Sequence, residues 1–277
     1  MTFDPAQRTL TQWRVGDKNL ILHGPRPDFW RSPTDNDRGA GLRANGIAKP
    51  QNRYLLADSN IWKTAADSWL TQPVNIHRHF DGSIEVQFKG TILQAAAKLN
   101  LSFIVHPSGI LKVDFHYHTH QTLPMLLRVG TAWQLPLDFQ NLAWYGPGPD
   151  STYTDRNWQP VGIHHKTIME NWVDYSKPQE NGNKVAVRWI EITDCDGSGL
   201  RFTNEEGLST NALPFSTEAI SGCAYTWQLP KPTAAHIHID HAQMGVGGDN
   251  SWGDIALPQY QLREKTYRYQ YTVTPIR

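Results

Sequence analysis

The residues of this chain best suited to chemistry lie in Met244-Gly245-Val246-Gly247-Gly248-Asp249-Asn250-Ser251-Trp252. Three glycines in four positions open backbone conformations closed to other residues and let a ligand approach the main chain. Asp249 and Asn250 add acceptors and donors suited to hydroxyl groups, and Trp252 adds a flat apolar face. A sugar ring has C–H faces and a hydroxyl rim, so an indole beside such side chains makes a carbohydrate platform. The same residues also describe a glycine-rich hairpin with its Trp in the core, and the segment alone leaves both open. A Gly-x-Gly-x-x-Gly nucleotide loop is poorly supported, because the third glycine is missing and no helical pattern follows.

A second candidate runs from Trp30 to Gly41. Asp35, Asn36 and Asp37 offer oxygens to Ca²⁺, but the acidic series breaks off and no Glu follows at the required position. An Asx-type turn is the favoured reading, with Asp37, Arg38 and the loop after them free to meet a partner. His116, His118 and His120 alternate, as do His236, His238 and Asp240. On a strand each set shares a face at intervals of roughly 6.8 Å. Metal binding needs a fourth partner that neither set identifies, and a solvent-facing strand accepts histidine freely. Retaining glycosidase chemistry needs two carboxylates about 5 Å apart. Asn204-Glu205-Glu206-Gly207 and Gln179-Glu180-Asn181-Gly182 both carry carboxylates, yet both read as ordinary turn chemistry beside glycine. No catalytic residue is assigned.

The elements that must hold these residues are strands. Residues 84–88, 110–118, 185–192 and 267–273 alternate apolar and polar, the signature of antiparallel sheet with one face on a core. Asp81-Gly82, Pro107-Ser108-Gly109, Asn181-Gly182 and Asp196-Gly197 supply turn signals. Only residues 60–70 read as helical, with Ser59 or Asn60 as N-cap, and residues 33–53 read as a long surface loop. No linker or repeat divides the 277 residues, which predicts one all-β domain over 1–277.

Twenty-six basic side chains balance 26 acidic ones, which argues against a nucleic-acid binder. Two cysteines, Cys195 and Cys223, make no disulfide framework or metal motif. No signal-like N-terminus or membrane-length apolar run is visible, so a cytoplasmic protein without a membrane partner is expected.

Five motifs occur in order: WRSPTDNDRG (30–39), YGPGPDSTYTDR (145–156), PQENG (178–182), VRW (187–189) and MGVGGDNSW (244–252). Together they resemble the C-terminal domain of large multidomain bacterial β-galactosidases, glycoside hydrolase family 2, across nearly the whole chain. The resemblance implies a large antiparallel super-sandwich, galactose-mutarotase-like. It implies that the nucleophile and acid/base glutamates lie in a separate (β/α)₈ barrel with no counterpart here. The family's Mg²⁺ and Na⁺ sites belong mainly to that barrel, so no cofactor is expected in this chain. Trp252 matches the residue that stacks against the aglycone sugar, with Asp249 and Asn250 beside it. A loop that closes over galactose would begin after Asp35, Asn36, Asp37, Arg38 and Gly39, at about 39–49. Partners would be the remaining domains or large subunit, the galactoside, and further copies in an oligomer.

Ser151 stands where the family usually has Glu, residues 41–60 look longer than the family's loop, and the chain starts at what would be the first hairpin. A fragment or a separately encoded small chain is therefore expected. Two rivals remain. A stand-alone aldose 1-epimerase would need a Glu base and His acids converging in one cleft. A non-enzymatic assembly module would need only contact surfaces.

Overall fold

Alternating runs pair into sheet because each can bury only one face. The computed structural model describes residues 1–39, 55–248 and 254–276. Two small hairpins come first, β1 (Thr2–Asp4) with β2 (Thr9–Gln12) and β3 (Arg14–Val15) with β4 (Lys18–Asn19). A thirteen-stranded sheet follows among the described residues. Its strands are β5 (His23–Asp28), β6 (Leu70–Thr71), β7 (Asn75–Arg78), β8 (Ile84–Ile92), β9 (Ala97–Val105), β10 (Leu111–Thr119), β11 (Arg128–Leu135), β12 (Asn141–Pro147), β13 (Val161–Thr167), β14 (Lys184–Thr193), β15 (Gly199–Leu213), β16 (Ala235–Gln243) and β17 (Thr266–Ile276). Short helices α1 (Asp35–Gly39) and α2 (Leu55–Ser59) lie between β5 and β6, while α3 (Ile168–Asn171) follows β13 and α4 (Thr217–Gly222) follows β15.

The sheet divides at β15, whose two ends pair with different neighbours. Residues 199–203 pair with β17, and residues 209–213 pair with β16. One layer runs β13-β12-β14-β15-β17-β10-β9-β8, and the other runs from β15 through β16 and β11 to β5. Aromatic side chains close the space between them. Trp133 of β11 meets Phe202 of β15 edge-on at 5.3 Å and donates through Nε1 to the Tyr271 hydroxyl of β17 at 2.9 Å. Phe29 lies 6.0 Å from Phe115 of β10. Such pairs add about 0.5–1.5 kcal/mol each beyond area burial.

The read alternation holds closely on β10, where Leu111, Val113, Phe115 and Tyr117 are buried, and on β17, where Tyr267, Tyr269, Tyr271 and Val273 are buried. It breaks on β14, where Val187, Ile190 and Ile192 are buried but Trp189 is not. Pairing with β15 shifts register there, and Ala186 has φ +54°, so a bulge resets the phase. The helix expected over 60–70 begins earlier: α2 precedes a 3₁₀ turn over Asn60–Thr64, residues 65–68 are turn, and Leu70 already belongs to β6. Ser59 does not cap it; its hydroxyl donates to Met125 O at 2.8 Å. Of the expected loop over 33–53, residues 35–39 form α1 and residues 40–53 lie outside the described residues.

Candidate functional site

Arg31 is fully buried just after β5, and a guanidinium is tolerated there only when its donors are matched. Its Nε and Nη2 reach the Asp37 carboxylate at 3.1 and 2.8 Å. Nη1 donates to Met244 O, and Nη2 also donates to Gly245 O at 3.0 Å. One side chain thereby ties the WRSPTDNDRG motif to the start of the glycine-rich segment. Asp37 also accepts from Thr34 N at 2.9 Å, and Asp37 N donates back to the Thr34 hydroxyl at 3.1 Å. This reciprocal cap starts α1. Asp37 is thus not free to meet a partner, as an Asx-turn reading would have it, because it closes a buried ion pair. Arg38 lies 3.2 Å from Asp35 and donates to Pro178 O at 3.3 Å. Gly39 is the last described residue of α1.

Two further motifs, PQENG and YGPGPDSTYTDR, meet at the same place. Asp35 N donates to Gln179 Oε1 at 2.8 Å, and Gln179 Nε2 returns a bond to Asp35 Oδ2 at 3.0 Å. Asn36 Nδ2 donates to Val246 O at 3.0 Å. Asp155 accepts from Val246 N at 3.1 Å and Gly247 N at 2.7 Å. A Cβ on Gly245 would come within 2.5 Å of that carboxylate, so this glycine admits the protein's own Asp155 rather than a ligand. Ser151, the departure from the family pattern, accepts from Gly182 N at 3.1 Å. A cavity of about 200 Å³ opens here between Asp35, Asn36, Tyr153, Arg156, Gln179 and Val246. The segments before residue 40 and before residue 249 therefore rise from one hydrogen-bonded base. Asp249, Asn250 and Trp252 themselves, and the loop from 40 to 49, lie outside the described residues.

A second buried arginine lies beneath. Arg128 Nη1 reaches Asp28 at 3.0 Å, Nη2 reaches Glu180 at 3.2 Å, and Nε is 3.1 Å from Asp240. Glu180 also accepts from Asn211 Nδ2 at 2.8 Å, which explains this carboxylate as a structural partner. Burial pushes Asp28 up, but the charge of Arg128 and the His238 hydrogen bond outweigh it and hold the carboxyl at about 2. Asp240, fully enclosed beside two other carboxylates, is raised far above the usual carboxylate range, first by desolvation. Residue types alone did not single out Arg31, Arg128 or Asp155. Arg128 left one signal, a lone charge in the apolar run Met125-Leu126-Leu127-Arg128-Val129.

The histidine rows have other roles. His118 and His120 face each other on the surface with Nε2 atoms 3.1 Å apart. His238 Nδ1 lies 2.9 Å from Asp28. Among the described residues no group of three or more His, Cys, Asp or Glu is placed to hold a metal ion. Glu205 and Glu206 are exposed within β15, where its register against β14 shifts, rather than at the turn expected beside Gly207. Nor is any described helix long and apolar enough to cross a membrane.

The β-galactosidase small chain family matches residues 1–274. The chain belongs to that family. A β-galactosidase (BgaC) of Bifidobacterium adolescentis is 30% identical over 94% of this chain and 24% of its own length. A β-galactosidase of Priestia megaterium is 27% identical over 99% of this chain and 25% of its own length. The chain thus spans about a quarter of the length of these relatives. A solved galactose 1-epimerase from Lactobacillus acidophilus superposes with a TM-score of 0.53, covering 97% of this chain and 88% of that one. At 9% identity this shows the fold alone: a galactose-mutarotase-like antiparallel super-sandwich.

Proposed function

We propose that this chain forms one wall of the galactoside site of a β-galactosidase whose catalytic carboxylates belong to the rest of the enzyme. The reaction is retaining hydrolysis of a terminal β-galactoside of the lactose type, through a covalent galactosyl intermediate on the barrel part. Trp252 stacks on the leaving sugar, and Asp249 and Asn250 shape its loop. Residues 35–39 root a second loop that closes over bound galactose, a gating role that needs no catalytic group. The family's Mg²⁺ and Na⁺ are held mainly by the barrel part, and the assembled oligomer works in the cytoplasm.

The observation that carries this reading is the shared base. Arg31, Asn36 and Asp155 fix the roots of the two candidate substrate loops to each other. A platform and a lid that must act on one sugar require such a common anchor. The test is kinetic. The chain alone should release no nitrophenol from o-nitrophenyl galactoside. Co-expressed with the rest of its enzyme, Trp252→Ala should raise the lactose KM about tenfold, the value of one lost stacking contact. Turnover by the isolated chain, or unchanged lactose kinetics in Trp252→Ala, would refute the proposal.

A further inference from the structure

The strand β11 turns Thr131, Trp133 and Leu135 into the core, which leaves Gly130, Ala132 and Gln134 on the opposite face. Neighbouring strands bring polar residues to either side of this row. Gln134 pairs with His236 of β16 and His23 of β5, and Ala132 pairs with His238 and Arg26. Because Ala132 is small and its neighbours are large, the middle strand becomes the floor of a trough. The cleft above it measures about 540 Å³ and extends to Trp30, Trp62 and Glu218.

Its walls hold hydrogen-bonding groups that the protein does not use. The side chains of His236 and Gln134 make no hydrogen bond among the described residues, and Trp30 Nε1 is buried without a partner. His238 Nδ1 lies 2.9 Å from both Asp28 and Arg128 Nη1, which leaves Nε2 without a partner among the described residues, to donate or accept according to the tautomer. Asp28 is in turn fixed by Arg128, so this imidazole is held rather than mobile. Burial depresses His236 to about 4, which leaves it neutral and able both to donate and to accept at pH 7.

The charges around the trough cancel. Arg8, Arg26 and Lys63 stand against Asp28, Asp67 and Glu218. Arg26 is paired with Asp67 at 2.9 Å, and Asp28 with Arg128 at 3.0 Å. With three charges of each sign the lining carries no net charge to select an ion of either sign. A ligand with several hydroxyls and a compact C–H body would match mixed donors and acceptors over an alanine floor. We propose that this trough is a binding cleft for a neutral polyhydroxylated molecule of monosaccharide size, with His236, His238 and Gln134 as its hydrogen-bonding residues. The inference goes beyond the galactosidase reading and does not depend on Trp252.

The test is proton NMR of the imidazole Cε1–H signals in the full chain, titrated with D-galactose. His236→Gln and His238→Gln variants assign the two signals. Both should shift with a dissociation constant of about 1–50 mM, ordinary for an isolated sugar site. Trp252→Ala should bind as the wild type does. Ala132→Phe fills the trough and should weaken binding at least about tenfold. Should that variant fail to fold, Gln134→Leu at the partly exposed end gives the same reading. Imidazole signals that stay fixed to about 100 mM sugar would overturn the proposal. So would binding that survives both cleft variants, or binding lost only in Trp252→Ala. That last result would place the sugar at the other site and support the galactosidase reading instead.

Discussion

Arg31 shows how one residue can govern a site it never enters. It holds Asp37, Met244 and Gly245 together, and both its own side chain and that of Asp37 are buried. Arg31→Met should cost about 3–5 kcal/mol in denaturant unfolding, because it strands a buried carboxylate. The double variant Arg31→Met, Asp37→Leu should recover part of that loss, since the uncompensated charge is the larger component. A double variant no more stable than the single one would show that the carbonyl bonds dominate. His236 supplies a pH dependence. Unfolded, it protonates near pH 6.5; folded, desolvation holds it at about 4. The unfolded chain therefore binds a proton that the folded chain refuses between those values. Stability is full above about pH 6.5 and falls as pH drops towards 4, by on the order of 2–3 kcal/mol. Asp28 continues the loss from about pH 4 down to about 2. Replacing His236 by Asn should flatten the first part of that decline in pH-dependent unfolding and leave the second.

The element that positions both the buried arginine network and the trough is β11. Its pairing with β5 and β16 places Gly130 between Asp28 and Asp240. A Cβ on Gly130 would lie 1.8 Å from Asp240 Oδ1. Gly130→Ala must therefore displace a buried carboxylate that faces Arg128, and should destabilise the chain by about 3 kcal/mol. A melting temperature within 2–4 °C of wild type, equivalent to about 1 kcal/mol in a domain of this size, would contradict that account. Neither neighbour of β11 is close in sequence, so no local pattern could announce the clash. Period-2 alternation did announce β10 and β17, whose buried faces run without interruption. It misread β14 because a bulge shifts the phase, and a bulge depends on the partner strand rather than on residue order. The short helix at Asp35–Gly39 escaped because five residues with a capping threonine read equally well as a polar turn.

At the scale of the whole molecule, β15 belongs to both layers, and Trp133, Phe202 and Tyr271 join their cores. Neither layer can lose its partner without exposing these rings. Calorimetry should therefore show one cooperative transition, with calorimetric and van't Hoff enthalpies equal, and two resolved transitions would mean separable units. Composition and alternation were enough to determine an antiparallel all-β chain, because side-chain period is a local property of a strand. Five ordered motifs were enough to determine the family, since each keeps its residue types in sequence. What they could not determine is why those residues are there. Asp37 and Glu180 read as exposed turn carboxylates and are buried partners of arginines 6 and 52 positions away. His236, Gln134 and His23 form one row only because three strands distant in sequence lie side by side. Charge pairing and cleft formation act through space at a few ångströms, and only the folded chain decides which residues come that close.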